Sequence, residues 1–202
     1  MMVVASTKSG VTTLQELVDK MKSGEAVDYA SAGPATPMDL AGAWLARLSG
    51  GTAVQGIQYR GSAPALSDVV AGVLDYGFSP ASLLMPHVRE GTLVPLASAT
   101  AERQRDLPDM PTMAEAGLPE FMSLNWDFWT ALFAPPGTPD EVVIRVSEAV
   151  TAALNDPAVQ ERVASLGGKM IFVGTPPDHG PQTIDGEVAA WKQPLTEMGF
   201  IQ

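Results

Sequence analysis

The stretch GSAPALSDVVAGVLDYGFSPASLL runs from Gly61 to Leu84. It sets two helix starts, Gly61-Ser62-Ala63-Pro64 and Ser79-Pro80-Ala81-Ser82, around a short apolar run. The spacing predicts a helix over Ala63–Val73, a strand over Leu74–Phe78 and a helix over Pro80–Arg89 that closes at Gly91. Working backwards, Val54–Tyr59 reads as a strand, Pro37 to about Leu48 as a helix and Val27–Ser31 as a strand. Before them come a helix over Thr12–Ser23, stopped by Gly24, and a short strand at Val3–Ala5. Working forwards, Leu93–Ala97 is a further strand. Strands and helices alternating at this pitch imply right-handed crossovers and a mainly parallel sheet.

Past Ser98 the pattern changes. Ala99–Glu120 holds three prolines and no sustained period, which predicts a long surface loop with one helical turn at Thr112–Ala116. Trp126–Ala134 reads as a strand. Pro135-Pro136-Gly137-Thr138-Pro139 breaks the chain, with Thr138 as the expected N-cap, Pro139 at the first helical position and Glu141 three residues after the cap. Helices over Asp140–Leu154 and Pro157–Leu166, a strand over Lys169–Val173 and a helix over about Thr183–Glu197 complete the reading.

The 202 residues are 46% hydrophobic and 17% charged, as in an ordinary globular chain. A net charge of −11, with only 12 Lys and Arg and no basic cluster, argues against nucleic acid or an anionic membrane surface as partner. The absence of Cys excludes disulfides, thiol catalysis and thiolate metal sites. No run approaches the roughly 18 apolar residues of a membrane span. The opening Met-Met-Val-Val-Ala-Ser-Thr-Lys lacks the basic stretch and long apolar core of a secretory signal, so the sequence as it stands reads as unexported.

Motifs of cofactor chemistry are missing. Gly168-Lys169 has Val163 where a phosphate loop needs its first Gly, and no Gly-x-Gly-x-x-Gly or Gly-x-Ser-x-Gly occurs. His87 and His179 stand far apart, without a second His at ligand spacing, and read as a helix-terminal and a loop residue. No cofactor and no metal are therefore expected.

What remains is the chemistry of the strand ends. Three strands finish in turns of one type: Ser31-Ala32-Gly33-Pro34-Ala35-Thr36-Pro37, Arg60-Gly61-Ser62-Ala63-Pro64 and Ser79-Pro80-Ala81-Ser82. In a parallel sheet the carboxyl ends share one edge, so these turns gather there. Each helix start leaves N–H groups without intrahelical partners. The hydroxyls of Ser31, Thr36, Ser62, Ser79 and Ser82 add donors, while Gly33 and Gly61 admit close approach of backbone. Together they would hold an anion without Arg or Lys. Ser and Thr beside Pro are also how ordinary helices begin, and Asp39 and Asp68, read as first-turn residues, serve the helix dipoles.

Four segments carry a family resemblance: YRGSAPALSDVVAGVLDYGF, ASAGPATPMDLAGAWLARLSG, MPTMAEAGLPEF and ALFAPPGTPDEVVIRV. From about Val3 to Phe200 the chain resembles the solute receptors of tripartite tricarboxylate transporters, the Bug family. The resemblance implies an α/β fold, a type II periplasmic-binding-protein-like lobe with a mainly parallel sheet, plus the C-terminal part of a second lobe. It implies residues 1–122 as the family's second, ligand-binding lobe, and 123–202 as the returning half of the first. It also implies a small carboxylate ligand, held by the loop at Ser31 to Thr36 and the turn at Gly61 to Ala65; with the strand ends, the expected ligand residues are Ser31, Gly33, Ala35, Thr36, Tyr59, Gly61, Ser62, Ala63, Ala65 and Ser79.

Further implications concern setting and partners. The expected partners are the transporter's membrane subunits or a chain that supplies the first lobe, with self-association as another route. The expected setting is the periplasm, with the cytoplasm left open. The family's opening region has no counterpart here, so the second half is expected to expose apolar surface. The family often places Asp after the strand-end Phe, whereas Ser79 follows Phe78. That departure favours plain carboxylates or neutral aromatic acids over amino acids. Two other readings compete: a lobe reused as an isomerase or lyase through Tyr59, Arg60, Asp75 and His87, and a sensing module docked on a partner chain.

Overall fold

The computed structural model describes residues 1–104, 107–126, 131–165 and 180–201. A five-stranded sheet forms the centre, with β1 (Met2–Ser6), β2 (Val27–Ser31), β3 (Val54–Gln58), β4 (Tyr76–Ser79) and β5 (Leu93–Ser98). Their order is β3-β2-β4-β1-β5. β2 pairs in parallel with β3 and β4, whereas β1 lies antiparallel between β4 and β5. Four strands therefore point one way, and the start of β1 joins their carboxyl edge, with Met2 opposite both Ser79 and Ser98.

The crossovers form for local reasons. α1 (Leu14–Ser23) starts on a reciprocal capping box between Thr13 and Glu16 and ends at Gly24 with φ 81°. It buries Leu14, Leu17, Val18 and Met21, one face of a helix. The backbone N–H of Thr12, followed by its hydroxyl, holds the Glu16 carboxyl below the usual range. α2 (Pro37–Ser49) starts on Thr36 with Pro37 behind it, while α3 (Ser62–Ala71) and α4 (Ala81–Arg89) start without any side-chain cap. α1 and α2 belong to one apolar cluster with Val3, Tyr29, Tyr76 and Phe78; α3 and α4 belong to a second with Met2, Val4 and Ala30.

The segment after β5 is more than a surface loop. The expected turn is present: Ala116 N–H donates to Thr112 O at 2.9 Å, and Thr112 and Glu115 cap each other. Met113 and Phe121, the latter on a 3-10 turn over Pro119–Ser123, are nevertheless 0% exposed. Burying such side chains is worth about 1.5–3 kcal/mol each, which fixes the loop to the core. Phe78, Phe121, Trp126 and Trp191 continue this packing as successive ring contacts at 5.6, 4.8 and 5.1 Å.

α5 (Asp140–Leu154), α6 (Pro157–Ser165) and α7 (Gly180–Glu197) follow. α7 docks through Trp191 and Leu195, and Met198 and Phe200 beyond it pack on the same cluster. α5 buries nothing: Val142, Ile144 and Val146 are 45%, 51% and 47% exposed. Its cap also differs from expectation, because Thr138 turns its hydroxyl onto Pro135 O at 2.8 Å and Pro139 occupies the cap position. Of the strand expected over Trp126–Ala134, Trp126 and residues 131–134 are irregular and the middle lies outside the described residues; so does the strand expected over Lys169–Val173. Among the described residues no helix is long and apolar enough to cross a membrane.

Candidate functional site

The three turns do meet at the carboxyl edge, and backbone hydrogen bonds join two of them. Tyr59 N–H donates to Ser31 O and Gly61 N–H to Ala32 O, each at 2.9 Å. Gly61 sits at φ 115°, a conformation that side chains disfavour, and this lets the chain turn from β3 directly into α3. Beside these turns, a small notch open to solvent is lined by Ala30, Ser62, Ala65, Leu66, Phe78, Ser79 and their neighbours.

Most of the anticipated donors are already committed. Ser31, 0% exposed, donates to Gln58 Oε1 at 2.8 Å and accepts from Gly33 N–H at 3.2 Å. Thr36 directs its N–H and its hydroxyl to Gly33 O. Ala35 N–H donates to Asp39 Oδ2 at 3.0 Å, with Ala35 held at φ 56°. Tyr59 donates its hydroxyl to Asp68, a bond that, before burial, pushes the Tyr59 phenol up to about 12. Asp68 is thus a partner in the second turn of α3 and does not serve the helix start.

Free capacity is concentrated at fewer positions. The uncapped start of α3 leaves the N–H groups of half-buried Ser62 and exposed Ala63 without intrahelical partners. The uncapped start of α4 does the same at Ala81 and Ser82. Ser79 is 3% exposed and its Oγ has no hydrogen-bond partner among the described residues. Of the ten anticipated residues, Ser62, Ala65 and Ser79 line the notch, Ala63 stands exposed on the first turn of α3, and Ser31, Gly33, Ala35, Thr36, Tyr59 and Gly61 build the frame beside it.

Two residues of this frame escaped the sequence reading. Gln58, at the end of β3, is exposed yet turns its amide inward, and Asp39 reads as a helix-dipole residue; each is a hub of hydrogen bonds. Arg60 is exposed, and His87 turns its backbone carbonyl and ring toward Thr92. Asp75 caps the start of β2 by accepting Asp28 N–H at 2.9 Å. No three His, Cys, Asp or Glu side chains among the described residues could share a metal.

Known proteins agree with this architecture. The family model described as "Tripartite tricarboxylate transporter family receptor" matches residues 1–199. BugT of Bordetella pertussis is 32% identical over 155 residues, covering 77% of this chain and 46% of that protein. A protein of Pseudomonas sp. strain P51, from the tcbD-tcbE intergenic region, is 34% identical over 172 residues, covering 85% and 49%. The chain therefore spans about half the length of these relatives.

Among solved structures, the periplasmic binding protein BugD superposes with a TM-score of 0.87 at 26% identity, over 98% of this chain and 65% of that one. MatC from Rhodopseudomonas palustris, with bound malate, gives 0.81 at 29% identity, over 96% and 65%. R. palustris Rpa4515 with adipate, at 24% identity and TM-score 0.86, shares the fold over 98% and 64%. The family model describes a receptor, which favours the binding reading over the isomerase or lyase one. This chain belongs to the receptor family of the tripartite tricarboxylate transporters.

Proposed function

We propose that this chain binds one carboxylate of a small organic acid at the head of α3, as the ligand-holding half of a two-lobed receptor. The observation that carries the reading is the uncapped α3 start beside the unpartnered Ser79 hydroxyl, on the edge where the strands end. Two adjacent N–H groups on a helix start offer an anion a pair of donors and a favourable dipole. The malate and adipate bound by similar proteins support a dicarboxylate as the ligand class. Ser79, being neutral, offers no counter-charge to an ammonium group and favours plain acids over amino acids.

Residues 1–122 form the ligand-binding lobe in this reading, and 123–202 belong with the first lobe. The uncovered face of α5, with Leu132 and Phe133 72% and 74% exposed before it, is where the rest of that lobe packs. The working place is the periplasm, and the transporter's membrane subunits receive the loaded receptor.

Titration with malate and adipate, followed by amide chemical shifts and thermal melting, tests the site. The Ser62 and Ala63 amides should move first, with a millimolar Kd because one lobe supplies only part of the contacts. Acid at 100 times Kd should add about 2.7 kcal/mol, a rise of roughly 5–10 °C in Tm. Ser62→Pro is tolerated at the first helical position and removes one N–H and the hydroxyl, so it should abolish the response while the chain stays folded. Arg60→Ala should weaken it far less. Loss of all response in Arg60→Ala with retention in Ser62→Pro would make Arg60 the anchor and refute the helix-start site.

A further inference from the structure

Asp39 lies in the first turn of α2 and is 3% exposed, and no Lys or Arg stands within salt-bridge distance among the described residues. Its carboxylate is instead enclosed by hydrogen bonds. Oδ2 accepts Ala35 N–H at 3.0 Å, and Oδ1 accepts Gln58 Nε2 at 2.7 Å and Tyr29 OH at 3.4 Å. The amide of Gln58 is used from both ends, since Oε1 accepts the Ser31 hydroxyl at 2.8 Å. Burial, and then the adjacent Asp39 charge, push the Tyr29 phenol above its ordinary range.

This arrangement grips the β2–α2 loop twice: at Ala35 directly, and at Ser31 and Gly33 through Gln58. Ala35 is held at φ 56°, a left-handed conformation that a side chain accepts only when its surroundings impose it. The loop in turn holds the next turn, because Ser31 O and Ala32 O accept the N–H groups of Tyr59 and Gly61. Gly61 is the residue immediately before the free donors of α3. A continuous line of hydrogen bonds therefore runs from Asp39 to the head of that helix.

We infer that Asp39 and Gln58 are positioning residues for carboxylate binding: they fix the β2–α2 loop, and through it the orientation of the Ser62 and Ala63 N–H groups. The inference rests on the proposal that a carboxylate binds at those two residues. It is sharpened by a conflict of sign. A buried negative charge near an anion site repels the anion, so by electrostatics alone its removal should tighten binding. As a positioning group, its removal should weaken binding.

The test compares malate Kd, from amide shifts, and Tm for the wild-type chain, Asp39→Asn and the double variant Asp39→Asn/Gln58→Glu. Asp39→Asn sets the Gln58 Nε2 against an amide that cannot both accept from it and keep Ala35 N–H. The expected result is a Kd roughly tenfold or more weaker, measured well below Tm, as befits bonds to a charged group. In the double variant, the introduced asparagine donates its Nδ2 to the introduced glutamate, whose other oxygen accepts the Ser31 hydroxyl. The asparagine Oδ1 remains free to accept Ala35 N–H. The local charge is unchanged, so recovery of most of the affinity reports geometry.

Unchanged or tighter binding by Asp39→Asn overturns the inference and leaves the helix-start site standing. Failure of the wild-type chain to bind malate overturns both. Should Asp39→Asn not fold, Gln58→Ala on the edge strand takes its place: several-fold weaker binding supports the positioning role, and unchanged binding refutes it.

Discussion

Met2 has a buried serine on either side, Ser79 on β4 and Ser98 on β5, and the two are expected to answer the same substitution with opposite signs. Ser98 is 0% exposed and its Oγ accepts the Thr100 hydroxyl at 3.0 Å. Ser79 is 3% exposed and its Oγ has no partner among the described residues. A buried hydroxyl left unsatisfied carries a desolvation penalty of about 1–3 kcal/mol, whereas a typical hydrogen bond contributes about 0.5–1.5 kcal/mol. Ser79→Ala removes the penalty and only one atom of packing, so a gain of about 1–2 kcal/mol is expected. In a chain of this size that is a Tm increase of roughly 2–8 °C. Ser98→Ala should lower Tm by roughly 1–6 °C.

Function should separate the pair as well. A Ser79 hydroxyl that rotates onto the ligand carboxylate supplies one hydrogen bond to a charged group, so Ser79→Ala should weaken malate binding roughly tenfold or more. Ser98→Ala should leave it unchanged. Differential scanning calorimetry with and without malate reads both effects in one series. A fall in Tm for Ser79→Ala as large as that for Ser98→Ala, with binding intact, would show that its hydroxyl supports the fold and not the ligand.

Thr13→Ala breaks the α1 capping box and should cost about 1 kcal/mol, lowering Tm by roughly 2–4 °C; an unchanged melt would mean that the helix does not depend on its cap. All three tyrosines have raised pKa values: Tyr59 to about 12 through its bond to Asp68, and Tyr29 and Tyr76 upward chiefly through burial. The folded chain therefore keeps phenolic protons that the unfolded chain releases near about pH 10, and stability present below that pH declines as pH rises toward 12. Tyrosinate absorbance should appear together with unfolding; a tyrosine that titrates near pH 10 in the folded chain would contradict the Asp68 bond. The uncovered α5 face should drive self-association, so light scattering should give a mass above 21.2 kDa that Ile144→Asp brings down; a monomer with no exposed apolar surface in dye binding would contradict it.

The first half was legible because its punctuation is local. Gly24 and Gly50 end helices in left-handed conformations, and Thr36-Pro37 starts one, so residues a few positions apart define each boundary. The observed β2 matches the expected Val27–Ser31, and α5 matches Asp140–Leu154. The site was legible as a place and less so as a set of donors. Composition shows that Ser31 and Thr36 carry hydroxyls, but only the fold shows Gln58 and Gly33 consuming them. Asp39 and Gln58 are 19 positions apart, and no periodicity announces a bond across two strands and a helix. Thr138 failed as a cap for a comparable reason: a nearer carbonyl, Pro135 O, competes for its hydroxyl.

The antiparallel course of β1 has a practical consequence. Met1 is 8% exposed, its carbonyl accepts Ala99 N–H at 2.9 Å, and Met2 follows between Ser79 and Ser98. Any polypeptide joined ahead of Met1 must leave from the rim of the carboxyl edge, beside the notch. A purification handle placed there would crowd that edge, so handles and surface tethers belong after Gln202, at the other end of the chain.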